Sequence, residues 1–329
     1  MKTLKTLVLT FTFIPFILCQ SFALAPLPGE DPLPSWNDGA IKEKIIYFVQ
    51  SVTDPSSPDF VPPRERVAAL DMDGTIVCEH PINFQRAIAL ERLRELAAQN
   101  PSLAEEQPYK AAVEFDDEYQ ANSNNHNYIF LTAFKDYPVH EFHEYAKDYM
   151  LREKQAPFDR KFNELYYQPG AELVQYLQDN NFRVYICSTT EENCIRVLLE
   201  DCMGLEHVAI IGNEVDLTFS IVDGKPHFRM HDTFRQPENR KDYKCVYILN
   251  QIGEAGQAPI FAFGNSMGDF GMLTFAGASH HKNLVMILDH DDPDRELEYH
   301  TEELLDHAKN NGWEVISMKR DFKEVFPSS

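Results

Sequence analysis

The sequence predicts an α/β fold: a Rossmann-like parallel sheet with helices on both faces, plus an inserted helical cap domain. Three observations carry this. RVAALDMD, beginning at Arg66, is a short apolar run that stops at a turn, as a buried parallel strand does. From Pro169 onward, helix-period stretches alternate with short apolar runs, the pattern of strand–helix–strand units. Between them, residues 80–167 carry helical patterns such as FQRAIALERLRELAAQ, Asn/Gln clusters and many aromatics. Only YIFLTAF there is ambiguous between helix and strand.

In chain order, residues 1–23 read as a signal peptide. Lys2 and Lys5 precede the apolar run Leu7–Leu18, and Ser21 and Ala23 supply small residues before a cut after Ala23. Pro15 breaks the run, which is short for a membrane span of about 20 residues. The expectation is export to the periplasm or beyond, with no stable membrane insertion after cleavage. Residues 24–64 are rich in Pro, Ser and Asp, with one amphipathic stretch, Ile41–Val52, and read as an arm laid on the body. Residues 65–79 and 168–329 form the α/β core and residues 80–167 the cap. Within the second core segment, AELVQYLQDN, EENCIRVLLED, YKCVYILNQIG, MGDFGMLTFAG and ELEYHTEELLDHAKNNG read as helices. FRVYICS, HVAIIGN, PIFAFGN, NLVMILD and WEVISM read as strands, and LTFSIVDGKPHFRM as a hairpin about its DGK turn.

The 329 residues include 52 acidic and 30 basic side chains, a net charge of −22. The leader removes two lysines and no acid, which makes it −24. Nucleic acid is an unsuitable partner, because phosphate backbones need clustered Lys and Arg and no basic stripe is visible. An anionic substrate is still compatible with this charge, since a bound cation reverses the local field. Five cysteines follow the leader, at 78, 187, 194, 202 and 245; their odd number and irregular spacing assign no pairing.

Four segments fall at or just beyond the ends of predicted elements of the sheet, the edge where open α/β sheets bind ligands. Asp71-Met72-Asp73-Gly74-Thr75 ends the first strand; its carboxylates, one residue apart, reach one ligand as the strand opens into a loop. Cys187-Ser188-Thr189-Thr190 ends the second, where hydroxyls and free N–H groups at a helix start suit an oxyanion. Lys244 begins a helix. Gly264-Asn265-Ser266-Met267-Gly268-Asp269 joins a strand to a helix. Each alone is common; all four in order, each in its strand context, are not.

This set resembles the haloacid dehalogenase superfamily of phosphohydrolases, with DMDGT, ICSTT, YKCVYI and FGNSMGD as its motifs over roughly residues 66–282. The stretch QPGAELVQYLQDNNFRVYICSTT is similar to the phosphoserine-phosphatase-like branch. The resemblance implies a HAD-like core and a phosphomonoester hydrolase for a small phosphorylated metabolite. It implies Asp71 as nucleophile, Asp73 as acid/base, Ser188 and Lys244 as phosphate stabilisers, and Mg²⁺ on Asp71, Asp73, Asn265 and Asp269. Gly74, Thr75 and Thr189 would line the substrate. Arg295, just beyond a strand end, is a further candidate for substrate contact, and His290 stands beside it. Two departures stand out: Asn265 replaces the more usual acid, and His80 occupies the position of the glutamate that grips an amino-acid substrate, with Glu79 one residue early. Phosphotransfer to another acceptor, and non-catalytic binding on the same fold, are the alternatives. The oligomeric state is not encoded in any of these features.

Overall fold

The computed structural model describes residues 31–253 and 257–328. The expected leader, and the arm up to residue 30, lie outside the described residues. Among the described residues, no helix is long and apolar enough to cross a membrane, and all five cysteines are unpaired thiols.

Helix α1 (Ala40–Thr53) buries Ile45, Phe48, Val49 and Val52 at the helical spacing of one face. It leads through a turn into β1 (Val67–Leu70), whose four residues are all buried. The cap follows as α2 (Phe84–Gln99), α3 (Tyr109–Glu114), α4 (Asp117–Ala121), α5 (His126–Phe134) and α6 (Val139–Arg152). A two-residue ribbon of β2 (Lys154–Gln155) and β3 (Arg160–Lys161) closes it. The ambiguous YIFLTAF lies in α5; Ile129, Phe130, Ala133 and Phe134 are buried, a 3.6-residue period rather than alternation.

The chain returns through α7 (Gln168–Asp179), β4 (Arg183–Glu191), α8 (Glu192–Arg196) and a π-helical turn (Val197–Cys202) to β5 (Ala209–Asn213). The hairpin is β6 (Val215–Val222) and β7 (Lys225–Phe234). Then come α9 (Tyr243–Ile252), β8 (Phe261–Gly264), α10 (Phe270–Gly277), β9 (Leu284–Asp289), α11 (Glu302–Asn311), β10 (Glu314–Ser317) and α12 (Met318–Asp321).

Six strands form one parallel sheet in the order β10-β9-β8-β1-β4-β5. After β1 the chain builds β4 and β5 on one side and β8, β9 and β10 on the other. β1 is therefore the topological switch point, where open α/β sheets leave a crevice at their carboxyl ends.

Three features differ from the sequence reading. Residues 31–60 are built into the core rather than lying on it as an arm. Trp36 is 1% exposed, meets Phe322 edge-on at 4.9 Å and donates from Nε1 to Pro169 O at 3.0 Å. Phe48 packs within 6.3 Å of Phe182 and Phe261. Secondly, the hairpin packs on the cap: Phe234 stacks on Phe130, and Asp136 N–H and Met230 N–H bond across to Met230 O and Tyr137 O at 2.9 Å each. Thirdly, the last long helix begins only at Glu302. Residues 290–301 fold back over the DMDGT loop instead, because Tyr299 N–H bonds His290 O, and Thr301 Oγ1 donates to Asn265 O at 3.2 Å.

Trp36→Ala removes a buried indole and its hydrogen bond to Pro169 O, and should cost about 3–5 kcal/mol. Urea denaturation monitored by far-UV circular dichroism checks this; a cost below about 1 kcal/mol would return residues 31–60 to a peripheral arm.

Candidate active site

The crevice beyond β1 is filled by the residues of the four motifs. Asp71 follows β1, and its N–H bonds Phe263 O on β8 at 2.9 Å, which fixes it between the two central strands. Lys244, in the first turn of α9, is 2% exposed. Its Nζ donates to Asp71 Oδ1 at 2.6 Å and to Asp269 Oδ1 at 2.7 Å. Among the described residues, no donor reaches the second oxygen of Asp71. Burial and the neighbouring Asp269 push the Asp71 carboxyl well up; the two carboxylates keep Lys244 charged despite its burial.

Asp73 Oδ2 accepts from Thr190 Oγ1 at 2.6 Å and from Ser188 Oγ at 3.2 Å. Burial raises Asp73 to about 6, against the pull of the Thr190 hydrogen bond. Ser188 Oγ in turn accepts Thr190 N–H at 3.1 Å. Asn239 supports this strand end from below, donating to Ser188 O and Ile211 O at 2.8 Å each.

Asn265 and Glu79 complete the opening. Asn265 Nδ2 donates to Glu79 Oε1 at 2.9 Å, and Tyr299 OH donates to the same oxygen at 2.8 Å. Both sit directly over Gly74. A Cβ there would stand 2.0 Å from Asn265 Nδ2 and 2.3 Å from Glu79 Oε1, and φ is +74°, so only glycine fits. His290, 1% exposed, places Nε2 2.8 Å from Gly74 O and 2.9 Å from Tyr299 OH, and Nδ1 3.2 Å from Glu296.

The structure thus brings two groups side by side at the ends of the paired strands β1 and β4, Asp71 with Lys244, Asp269 and Asn265, and Asp73 with Ser188, with Thr189 on the wall of the adjoining cavity. Four other candidates take different parts. Arg295 does not face the crevice. It pairs with Asp292 and donates to the carbonyls of Met318, Lys319, Phe322 and Lys323, so it clamps the C-terminal segment. Thr75 is fully buried behind the loop and its hydroxyl donates to Asn265 Oδ1 at 3.3 Å. Gly74 N–H is taken by Val77 O at 2.7 Å, so its part is the turn and the close approach. Both oxygens of Asp269 are engaged, Oδ1 by Lys244 and Oδ2 by the N–H groups of Asn265 and Ser266 and by Ser266 Oγ, so its part is to hold the lysine and the loop. The sequence presents Thr190 and Glu79 only as neighbours of other residues and gives Tyr299 no part. Thr190 and Glu79 lie next to motif residues, whereas nothing local marks Tyr299.

Together the two groups and Glu79 present four carboxylates, Asp71, Asp73, Asp269 and Glu79, against the one ammonium of Lys244. The open oxygen of Asp71 is a hard donor, and Asn265 Oδ1, which accepts only the long bond from Thr75, is another. An excess of negative charge on oxygen ligands fits a small divalent cation such as Mg²⁺.

Glu191 caps α8, accepting Asn193 N–H at 2.9 Å and Cys194 N–H at 3.1 Å, and burial raises it to about 7. Its folded value lies above the ordinary carboxylate value, so the folded state binds the proton more tightly. Stability from this group is fully present below about pH 4.5 and is lost as pH rises through about 7. Glu191→Gln should remove that part of the pH dependence, flattening the difference in urea midpoint between pH 5 and pH 8. An unchanged difference would refute the assignment.

The haloacid dehalogenase-like hydrolase family model matches residues 68–274, more than half of the chain. No curated protein sequence matches it. Among solved structures, a conserved, functionally unknown protein from Anaerococcus prevotii aligns with a TM-score of 0.53 at 14% identity, over 84% of this chain and 91% of that one. A protein of unknown function from Bordetella pertussis aligns with a TM-score of 0.50 at 14% identity, over 76% of this chain and 97% of that one. These likenesses concern the fold. With its parallel sheet, its motifs in order and the match over residues 68–274, the chain belongs to the haloacid dehalogenase-like hydrolase family.

Proposed function

We propose that the protein is a phosphomonoester hydrolase that cleaves a small phosphorylated metabolite through an aspartyl-phosphate on Asp71. The observation that carries this is the pairing of two differently held carboxylates at the switch point. Asp71 is fixed by Lys244 through one oxygen, with the other open. Asp73 is held two residues on by Ser188 and Thr190. A second aspartate at that place gives the site an acid/base as well as a nucleophile.

The open oxygen of Asp71 attacks phosphorus as the bond to the ester oxygen breaks, and Asp73 gives its proton to that leaving oxygen. Water then attacks the phosphoryl group; Asp73 takes its proton, the Asp71–phosphorus bond breaks, and inorganic phosphate leaves. Lys244 offsets charge between Asp71 and the phosphoryl oxygens, and Asp269 keeps it there. In this reading Ser188 and the Thr189 backbone bind the phosphoryl oxygens, the Ser188 hydroxyl turning from Asp73 to do so. Mg²⁺ held by Asp71, the Asp73 carbonyl and Asn265, with Glu79 close by, would draw an anionic ester to an anionic nucleophile. The adjoining cavity, of about 160 Å³, is below the size of pockets for drug-sized ligands and favours a small substrate. On the leader at residues 1–23, the reading places this activity outside the cytoplasm.

Hydrolysis of 4-nitrophenyl phosphate should require Mg²⁺, stop with chelator, and fall by ~10³-fold or more in Asp71→Asn. Folded protein without turnover would leave the binding reading, and phosphate passed to an added alcohol in preference to water would give phosphotransfer. Asp73→Asn should lose ~10²–10⁴ in kcat on an alkyl phosphate such as glycerol 2-phosphate, and less on 4-nitrophenyl phosphate. The nitrophenolate leaves without a proton, so equal losses on both would remove Asp73 as the acid.

A further inference from the structure

The cavity next to the catalytic carboxylates contains a cation that the proposed hydrolysis does not use. Its wall includes Gln85, Arg86, His126, Thr189, Thr190 and Arg240. Thr190 joins the two sites, since its hydroxyl bonds Asp73 and its side of the chain lines the cavity.

Arg86 is half-buried in the first turn of α2. Its Nη1 lies 2.9 Å from His126 Nε2 and its Nη2 donates to Pro81 O at 3.0 Å, while Nε is buried with no hydrogen-bond partner. Among the described residues, no carboxylate lies within ion-pair distance of it. Glu79 supports its charge only from further off, and that carboxylate is engaged by Tyr299 and Asn265. His126 is never an anion; burial and Arg86 hold it below the usual histidine range, so it meets Arg86 as a neutral acceptor and not as a counter-charge.

A half-buried guanidinium without an anion carries an uncompensated desolvation cost. Its place adds to that cost, since a cation in the first turn of the 16-residue α2 opposes the helix dipole, and no acidic residue there offsets it. The same arrangement recurs once in the site: Lys244 also stands in a helix's first turn, and its charge is answered by Asp71 and Asp269. Arg240, exposed at the rim and without an ion pair among the described residues, adds a second cation. Glu238, on the same wall, is bonded to Asn127 Nδ2 at 2.8 Å.

Resting on the phosphatase reading, we infer that the substrate carries a second anionic group, a carboxylate or another phosphate, which Arg86 binds in this cavity. Each terminal nitrogen of Arg86 carries a second N–H beyond its bond to His126 or Pro81, and these are the donors an anion in the cavity would take. Selectivity therefore comes from an ion pair that only a doubly anionic ester completes.

The test is calorimetric titration of the full protein, with Mg²⁺, using three phosphonates that differ at one end: propylphosphonate, 3-phosphonopropionate and propane-1,3-diphosphonate. The wild type should bind one or both doubly anionic ligands about tenfold or more tighter than propylphosphonate. Which one leads separates a carboxylate from a second phosphate. Arg86→Gln should abolish the preference while leaving propylphosphonate within about twofold, and Arg86→Lys, which keeps the charge but not the fork, should restore part of it. Equal binding of all three, binding of none, or a preference that survives in a folded Arg86→Gln protein overturns the inference. Aryl phosphate turnover without the preference removes this inference alone. An Arg86-dependent preference without turnover of any ester removes the phosphatase reading instead.

Discussion

The site depends on one buried ammonium. Lys244 lies between Asp71 and Asp269, within 2.7 Å of both, with all three nearly excluded from water. Three ions in such a place are stable only as a set; deleting one partner strands a buried charge, at a cost of about 3–5 kcal/mol. The set also locks three separate segments together: the end of β1, the first turn of α9 and the loop after β8. Asp269 extends the lock by accepting the N–H groups of Asn265 and Ser266, which orients Asn265 toward Gly74 and Glu79. The sheet supplies the place and the ion cluster supplies the orientation.

A second layer holds the cluster from outside. Residues 290–301 bring His290 and Tyr299 against the Gly74 turn, while Glu296 ties His290 to Tyr167 and Cys78. On the opposite side, Asn213 and Asn239 fix the end of β4 through backbone carbonyls. The hairpin of β6 and β7 carries the cap's aromatic core across to the segment that leads to α9. The hairpin therefore couples the cap to the segment that carries Lys244.

Much of this was legible in the sequence because it is local. The strand–helix alternation, the hairpin turn and the four motif positions each follow from residues close together in the chain, and the family match over 68–274 agrees with them. What was not legible depends on distant pairing. Arg295 looks like a substrate ligand from its place after a strand, but its partners are carbonyls up to 28 residues away in a tail with no motif. Glu79 meets Tyr299 across 220 positions, and Trp36 meets Pro169 across 133, so no period or spacing announces either contact. Asp269 belongs to a recognisable loop, yet only the hydrogen-bond count shows that its oxygens are already occupied.

The central claim is that Asp71 takes the phosphoryl group. Its most direct measurement is an acid quench during turnover of a ³²P-labelled ester, followed by peptide mapping of the protein-bound label. The account predicts an acid-stable, hydroxylamine-labile phosphate on the peptide that contains Asp71. Sustained turnover with no covalent label, or label on any other residue, would contradict it.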